Sequence, residues 1–286
     1  MSYCSPSVNI KDHYTCFEYD ELKQIALAFN IYIQTNKVCP NSKKDSKDYK
    51  KDKRCLPTAL IDIKKSKKKL WYSIYNRLKY ICPYEYCWID LDFINNIKDK
   101  YLGEKLKYFT FKPKITRTMN SWLSTKDIDN VLQQYQDLDP TFKFLGALPS
   151  DFYRLTHVDY SRIFDHKRIG IVFNLDTHNE PGSHWVSFLI DNKKKTLEYY
   201  DSAGRIPNKN IQMFIDRVNH YLKQYNLTYK THYNTVKHQL QNNECGVYAI
   251  YFMIQRLLGK DFNEIIKNIV RDKEMNHFRQ YIFRPK

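Results

Sequence analysis

The chain has 286 residues, enough for one substantial hydrophobic core and a second smaller one. Lysine and arginine total 47 against 31 acids, a formal charge of +16; such a surface attracts polyanions such as nucleic acid, although basic runs more often serve solubility. No run approaches the roughly 20 apolar residues of a membrane span, and residues 1–12 lack a basic stretch followed by an apolar one, so a soluble, unsecreted protein is expected.

Six of the 7 cysteines lie in the first third, and only Cys245 lies beyond. Their odd number and irregular spacing predict reduced thiols rather than a disulfide framework. Cys82 and Cys87, with Cys39, Cys55 and His13, are spaced unlike the compact ligand pairs of zinc fingers, so no metal is expected.

Residues 13–110 read as a mostly helical unit. Leu22, Ile25, Ala26 and Phe29 mark a helix over 19–31; Leu70, Ile74, Leu78 and Ile81 mark one over 70–81. Trp88, Leu91, Ile94 and Ile97 suggest a third over 88–102. The lysine-rich stretch 39–54 reads as a loop, and 105–116, with Pro113, as a linker. This places an N-terminal helical accessory region at 1–115 and a second domain at 116–286.

The second domain opens on Ser124 or Thr125 as an N-cap, with Asp127 in the first turn and Ile128, Val131, Leu132 and Tyr135 on one helical face. A short strand from Phe144 leads to a second capped helix near Phe152. Strand-like runs follow at 168–175, 184–191 and 196–201, then a helix over 210–225 and a strand over 228–238. Val247 to Ile254 forms a buried apolar helix ending near Gly259, and further helices fill 261–281. Strands among helices around one mixed sheet make an α+β domain.

Cys245 stands at the start of that apolar helix, where unpaired N–H groups and partial positive charge favour the thiolate. Upstream, His184 offers a base and Asp201 an orienting carboxylate. A hairpin turning at 192–195 pairs residues whose numbers sum to about 387, which sets Asp201 opposite Val186 and diagonal to His184. Diagonal neighbours lie about 7–8 Å apart at Cα, on one face. Asp191, the rival orienter, is seven residues from His184, on the order of 23 Å along the strand. A glutamine side chain just upstream of Cys245 would add an oxyanion donor to the Cys245 N–H. Each residue alone also fits an ordinary packing or turn role; the order His, Asp, Gln, Cys with the thiol at a helix start favours chemistry.

The pattern Gly182-Ser-His184-Trp185, Glu198-Tyr-Tyr-Asp201-Ser-Ala-Gly204 and Gln239-x5-Cys245-Gly246 resembles the adenovirus-protease and SUMO-protease clan of cysteine proteases. Within it the chain is most similar to the polyprotein-processing enzymes of large cytoplasmic DNA viruses, of the African swine fever virus type, over roughly 118–286. That resemblance implies a papain-like, adenain-like core with a helical arm before it. It implies His184 as base, Asp201 as orienter, Gln239 rather than Gln241 as oxyanion donor and Cys245 as nucleophile, with Trp185 and Gly246 contacting substrate. The implied function is an endopeptidase that cuts viral structural precursors after Gly-Gly-type sites during particle maturation, in host cytoplasm or virion, without cofactor. Alternatives are an isopeptidase acting on SUMO or ubiquitin-like conjugates, an acetyltransferase effector and a non-catalytic basic binding protein.

Overall fold

Apolar residues at helical spacing organise the first third of the chain. Helix α1 (Tyr19–Thr35) buries Leu22, Ile25, Ala26 and Phe29, and α2 (Lys67–Leu78) buries Leu70, Ile74 and Leu78. The computed structural model describes residues 3–8, 14–35, 59–118, 120–241 and 243–285. The chain divides into two units, Met1–Lys112 and Pro113–Lys286.

In the first unit the helix expected over 88–102 is broken into α3 (Glu85–Trp88), a 3₁₀ turn at Asp92–Asn96 and α4 (Lys100–Glu104). Asp and Asn side chains compete for backbone groups and favour such breaks; Asp99 caps α4 by accepting the Leu102 N–H at 3.1 Å. A π-helical turn at Lys105–Phe109 occupies the start of the expected linker. The expectation of free thiols also needs correction: Cys4 is bonded to Cys16 and Cys82 to Cys87, across Cα separations of 5.4 and 5.7 Å, distances that a disulfide spans. Cys39, Cys55, His13 and the loop expected over 39–54 lie outside the described residues.

In the second unit α5 (Thr125–Leu138) starts at a reciprocal cap, Ser124 accepting the Asp127 N–H while Asp127 accepts that of Ser124. Five strands follow, β1 (Phe142–Pro149), β2 (Arg168–Asn174), β3 (Trp185–Asp191), β4 (Thr196–Tyr200) and β5 (Lys230–Tyr233), in one sheet of order 1-2-3-4-5. β2, β3 and β4 are antiparallel, whereas β1 and β5 run parallel to their neighbours. The last strand is shorter than the expected 228–238 because Asn234 turns the chain, its side-chain Oδ1 accepting the Val236 N–H at 2.7 Å.

Alternation along the strands makes two cores. Val172, Leu189 and Tyr200 face α5 and α8 (Cys245–Leu257), while Ile171, Phe173, Phe188 and Tyr199 face α6 (Phe152–Leu155) and α7 (Lys209–Gln224). Helix α8 is tied to the sheet by Ser187, whose hydroxyl donates to the Ala249 carbonyl at 2.9 Å. Arg256, in its last turn, is buried and donates to Glu198 of β4 and Asp191 of β3. Two short helices, α9 (Phe262–Lys267) and α10 (Asp272–Ile282), complete the unit. No helix among the described residues is long and apolar enough to cross a membrane.

Candidate active site

The β3–β4 hairpin has the register derived from the numbering: Ser187 pairs with Tyr200 and Phe188 with Tyr199, each summing to 387. His184 therefore reaches Asp201 diagonally, and its Nε2 lies 2.5 Å from Asp201 Oδ1. Asp201 is fully buried. Its Oδ1 also accepts the Ala203 N–H at 2.8 Å, and its carbonyl accepts from buried Asn234 Nδ2 at 2.6 Å. The rival Asp191 stands at the other end of β3, held by Arg256 and by the Lys194 N–H.

Cys245 is the first residue of α8, buried, and the free cysteine of the described residues. Its thiol is near enough to the His184 ring to favour that ring's protonation. Burial pulls the imidazole's pKa down most strongly, but hydrogen bonds and charge from Asp201 and Cys245 outweigh it and raise the value from 6.5 to about 9. A ring so placed holds a proton at neutral pH, between a carboxylate on one side and a sulfur on the other.

The loop leading to His184 is fixed from within. Gly182 takes φ +95°, and a β-carbon there would meet Asn174 Nδ2 at 2.7 Å. Asn174 Oδ1 accepts the Ser183 N–H at 3.2 Å, and Asp176 accepts the Gly182 N–H at 3.1 Å and the Ser183 hydroxyl. After Asp201, the next residue reaches the other side of the site. Ser202 donates its hydroxyl to Gln239 Oε1 at 2.7 Å, and its carbonyl accepts the Gln239 N–H at 2.9 Å. The Gln239 amide nitrogen donates to the Gln241 carbonyl, while the Gln241 side chain is exposed.

Two grooves border His184. One, about 390 Å³, runs past Trp122, Trp185, His178 and Pro149; the other, about 290 Å³, past Trp122, Gln239, Arg205 and Lys237. Trp185 is nearly buried, its indole N–H donating to the Leu123 carbonyl at 2.9 Å, and presents a rigid wall. Gly246 lines neither groove: it packs on Leu123, whose Cβ would lie 3.0 Å from an added β-carbon, so its glycine serves helix packing.

Sequence reasoning missed several of these residues. Trp122 borders both grooves and is 44% exposed, a signal open to view as an aromatic just before a helix cap. Asp151, at the N-cap of α6, makes no cap bond and instead binds the His178 ring at 2.8 Å and accepts its backbone N–H at 3.0 Å. Ser202 was visible only as a turn residue beside Asp201.

A thiol at a helix start, beside an imidazole that a buried carboxylate holds, is the arrangement of a cysteine hydrolase. Residues 97–286 match the model of the Ulp1 protease family, C-terminal catalytic domain. A protein of Acanthamoeba polyphaga mimivirus, named as a thiol protease, is 31% identical over 295 residues, which cover 99% of this chain and 94% of that one. The cysteine protease of African swine fever virus is 26% identical over 196 residues, 61% of this chain and 72% of the relative. The crystal structure of the African swine fever virus protease superposes with a TM-score of 0.63 at 20% identity, covering 100% of this chain and 96% of that one, and shares the fold. The chain belongs to the Ulp1 protease family. It is a cysteine protease of mixed α+β architecture, acting on protein substrates.

Proposed function

We propose that Cys245 is the nucleophile, His184 the acid–base, Asp201 its orienter, and Gln239 with the Cys245 N–H the oxyanion donors. The observation that carries this reading is the His184 ring held by buried Asp201 at 2.5 Å, with the free Cys245 at the helix start acting on the same ring. With the proton already on the His184 ring, the sulfur attacks the scissile carbonyl carbon. A C–S bond forms and the carbonyl π electrons move to oxygen. One N–H of the Gln239 amide is taken by Gln241, and its second meets the oxyanion with the Cys245 N–H. Collapse breaks the C–N bond as His184 protonates the leaving amine. Water, losing a proton to His184, then cleaves the thioester and restores the thiol.

Substrate reaches the sulfur between Trp122 and Trp185, a passage whose aromatic walls favour residues without side chains. We therefore assign cleavage after Gly-Gly-type sequences in viral structural precursors, in host cytoplasm or assembling particles. The +16 charge supports nucleic acid as a partner in that setting. A second reading, removal of SUMO or ubiquitin-like modifiers, is favoured by the name SUMO-1 cysteine protease carried by African swine fever virus relatives. The two separate experimentally: a Gly-Gly-containing structural precursor and SUMO- and ubiquitin-based activity probes are offered to active and Cys245→Ala protein. Cys245-dependent cutting of the precursor without probe labelling supports the first; probe labelling without precursor cleavage supports the second.

A further inference from the structure

Helix α10 contributes no residue to either groove, yet it holds three of the segments that build the site. Its first residue, buried Asp272, accepts the backbone N–H groups of Leu240 at 2.9 Å and Gln241 at 3.0 Å through one oxygen. The other oxygen lies 3.2 Å from the Tyr248 hydroxyl, on α8 one turn after Cys245. Asp272 thus fixes the Gln241 peptide, and the Gln241 carbonyl in turn holds the Gln239 side-chain amide.

Seven residues on, about 10.5 Å along the axis and on the same helix face, is Arg279. It is 1% exposed, and its guanidinium reaches the residues just before Cys245 and before Trp122. Nε and Nη2 engage Glu244 Oε2 at 3.0 and 2.9 Å, Nη2 donates to the Asn243 carbonyl at 3.0 Å, and Nη1 donates to the Ser121 carbonyl at 2.7 Å. Glu244 immediately precedes the nucleophile, and Ser121 precedes Trp122. A planar fork bonded to three backbone or carboxylate partners fixes direction as well as distance, which a lysine cannot do.

We propose that Asp272 and Arg279 are positioning residues through which α10 sets the spacing between the Gln239 amide and the start of the Cys245 helix. This rests on the roles given to Gln239 and Cys245 above. Both oxyanion donors are then referenced to one rigid element, and a shift of either end of α10 moves one donor relative to the other. Displacements on the order of 1 Å at such donors cost about 10²-fold in turnover.

The test compares Asp272→Glu and Arg279→Lys, which keep charge but move or narrow the contact, with Met275→Ala, a cavity variant in the buried core side of the same helix. Turnover of a fluorogenic Gly-Gly peptide is measured beside alkylation of Cys245 by iodoacetamide, a displacement that develops no oxyanion. The expected result is a fall in kcat of about 10- to 10²-fold at unchanged KM for Asp272→Glu, with Cys245 alkylated as fast as in the unaltered protein. Arg279→Lys lowers kcat similarly, and Met275→Ala lowers thermal stability while leaving kcat unchanged at a temperature where it is folded. If Asp272→Glu does not fold, Asp272→Asn, of native shape, reads the same quantities. Unchanged kcat in both charged variants overturns the proposal, as does a parallel fall of kcat and of Cys245 alkylation. Peptide cleavage surviving in Cys245→Ala would instead remove the site assignment beneath it.

Discussion

Replacing Asp201 by Asn leaves an oxygen facing His184 but removes the charge, and the consequence can be worked through pH. The imidazole stands at about 9 against an ordinary 6.5, because Asp201 and Cys245 more than offset burial. At about 1.36 kcal/mol for each tenfold change in proton affinity, that rise favours the folded imidazolium by roughly 3 kcal/mol. A group whose pKa rises on folding stabilises fully below its unfolded value, about 6.5, and the contribution is lost as pH climbs through the folded value of about 9. The unaltered protein therefore loses up to roughly 3 kcal/mol from this residue between pH 6 and 9.5. In Asp201→Asn most of that slope disappears, since burial is no longer opposed by the carboxylate. Urea unfolding at a series of pH values, followed by tryptophan fluorescence, measures the stability gap between the two proteins. Background titrations common to both cancel in the difference. The gap is expected to be wider at pH 6 than at 9.5; a gap constant across the range would refute the coupling.

Three further outcomes follow from other parts of the second unit. Gln239→Ala is expected to lower kcat by about 10² to 10³ with KM nearly unchanged, measured by steady-state peptide cleavage; a change in KM alone would contradict its role. Glu198→Ala leaves the Arg256 guanidinium, 1% exposed, short of its main partner and is expected to cost about 3–5 kcal/mol by chemical denaturation. Among the described residues, the groove beyond His184 carries Arg205 and Lys237 and no carboxylate, and a β-carbon added at Gly204, whose φ is +70°, would lie 2.9 Å from the Lys237 backbone nitrogen. Peptides with aspartate near the scissile bond are accordingly expected to be cut faster than their lysine counterparts, with the difference shrinking as salt rises from low to high ionic strength.

The parts legible in the sequence were those governed by local rules. Periodicity places α1, α2, α5, α7 and α8, and the arithmetic of an antiparallel hairpin places His184 beside Asp201. Asp191 was set aside by the same arithmetic, and its actual partner, Arg256, explains what it does instead. The rest depends on distant pairing. A polar residue inside an apolar helix, such as Arg256, gives no local sign that Glu198 and Asp191 await it. Nor does the spacing of cysteines disclose that Cys4 meets Cys16, since the intervening chain can close in many ways. The expected helix over 88–102 failed because its apolar stripe came from three short turns whose Asp and Asn residues prefer to bond their own backbone. Asp151 precedes α6, and nothing local shows that a histidine from another loop claims its carboxylate.

The claim on which the mechanism stands is that the His184 ring and the Cys245 sulfur act as one unit. A Gly-Gly peptide ending in a vinyl sulfone, incubated with the protein near neutral pH and mapped by peptide mass spectrometry, tests it. The account predicts a single adduct on Cys245, slowed strongly in His184→Ala. An adduct on another cysteine, or equal labelling of Cys245 without the histidine, would contradict it.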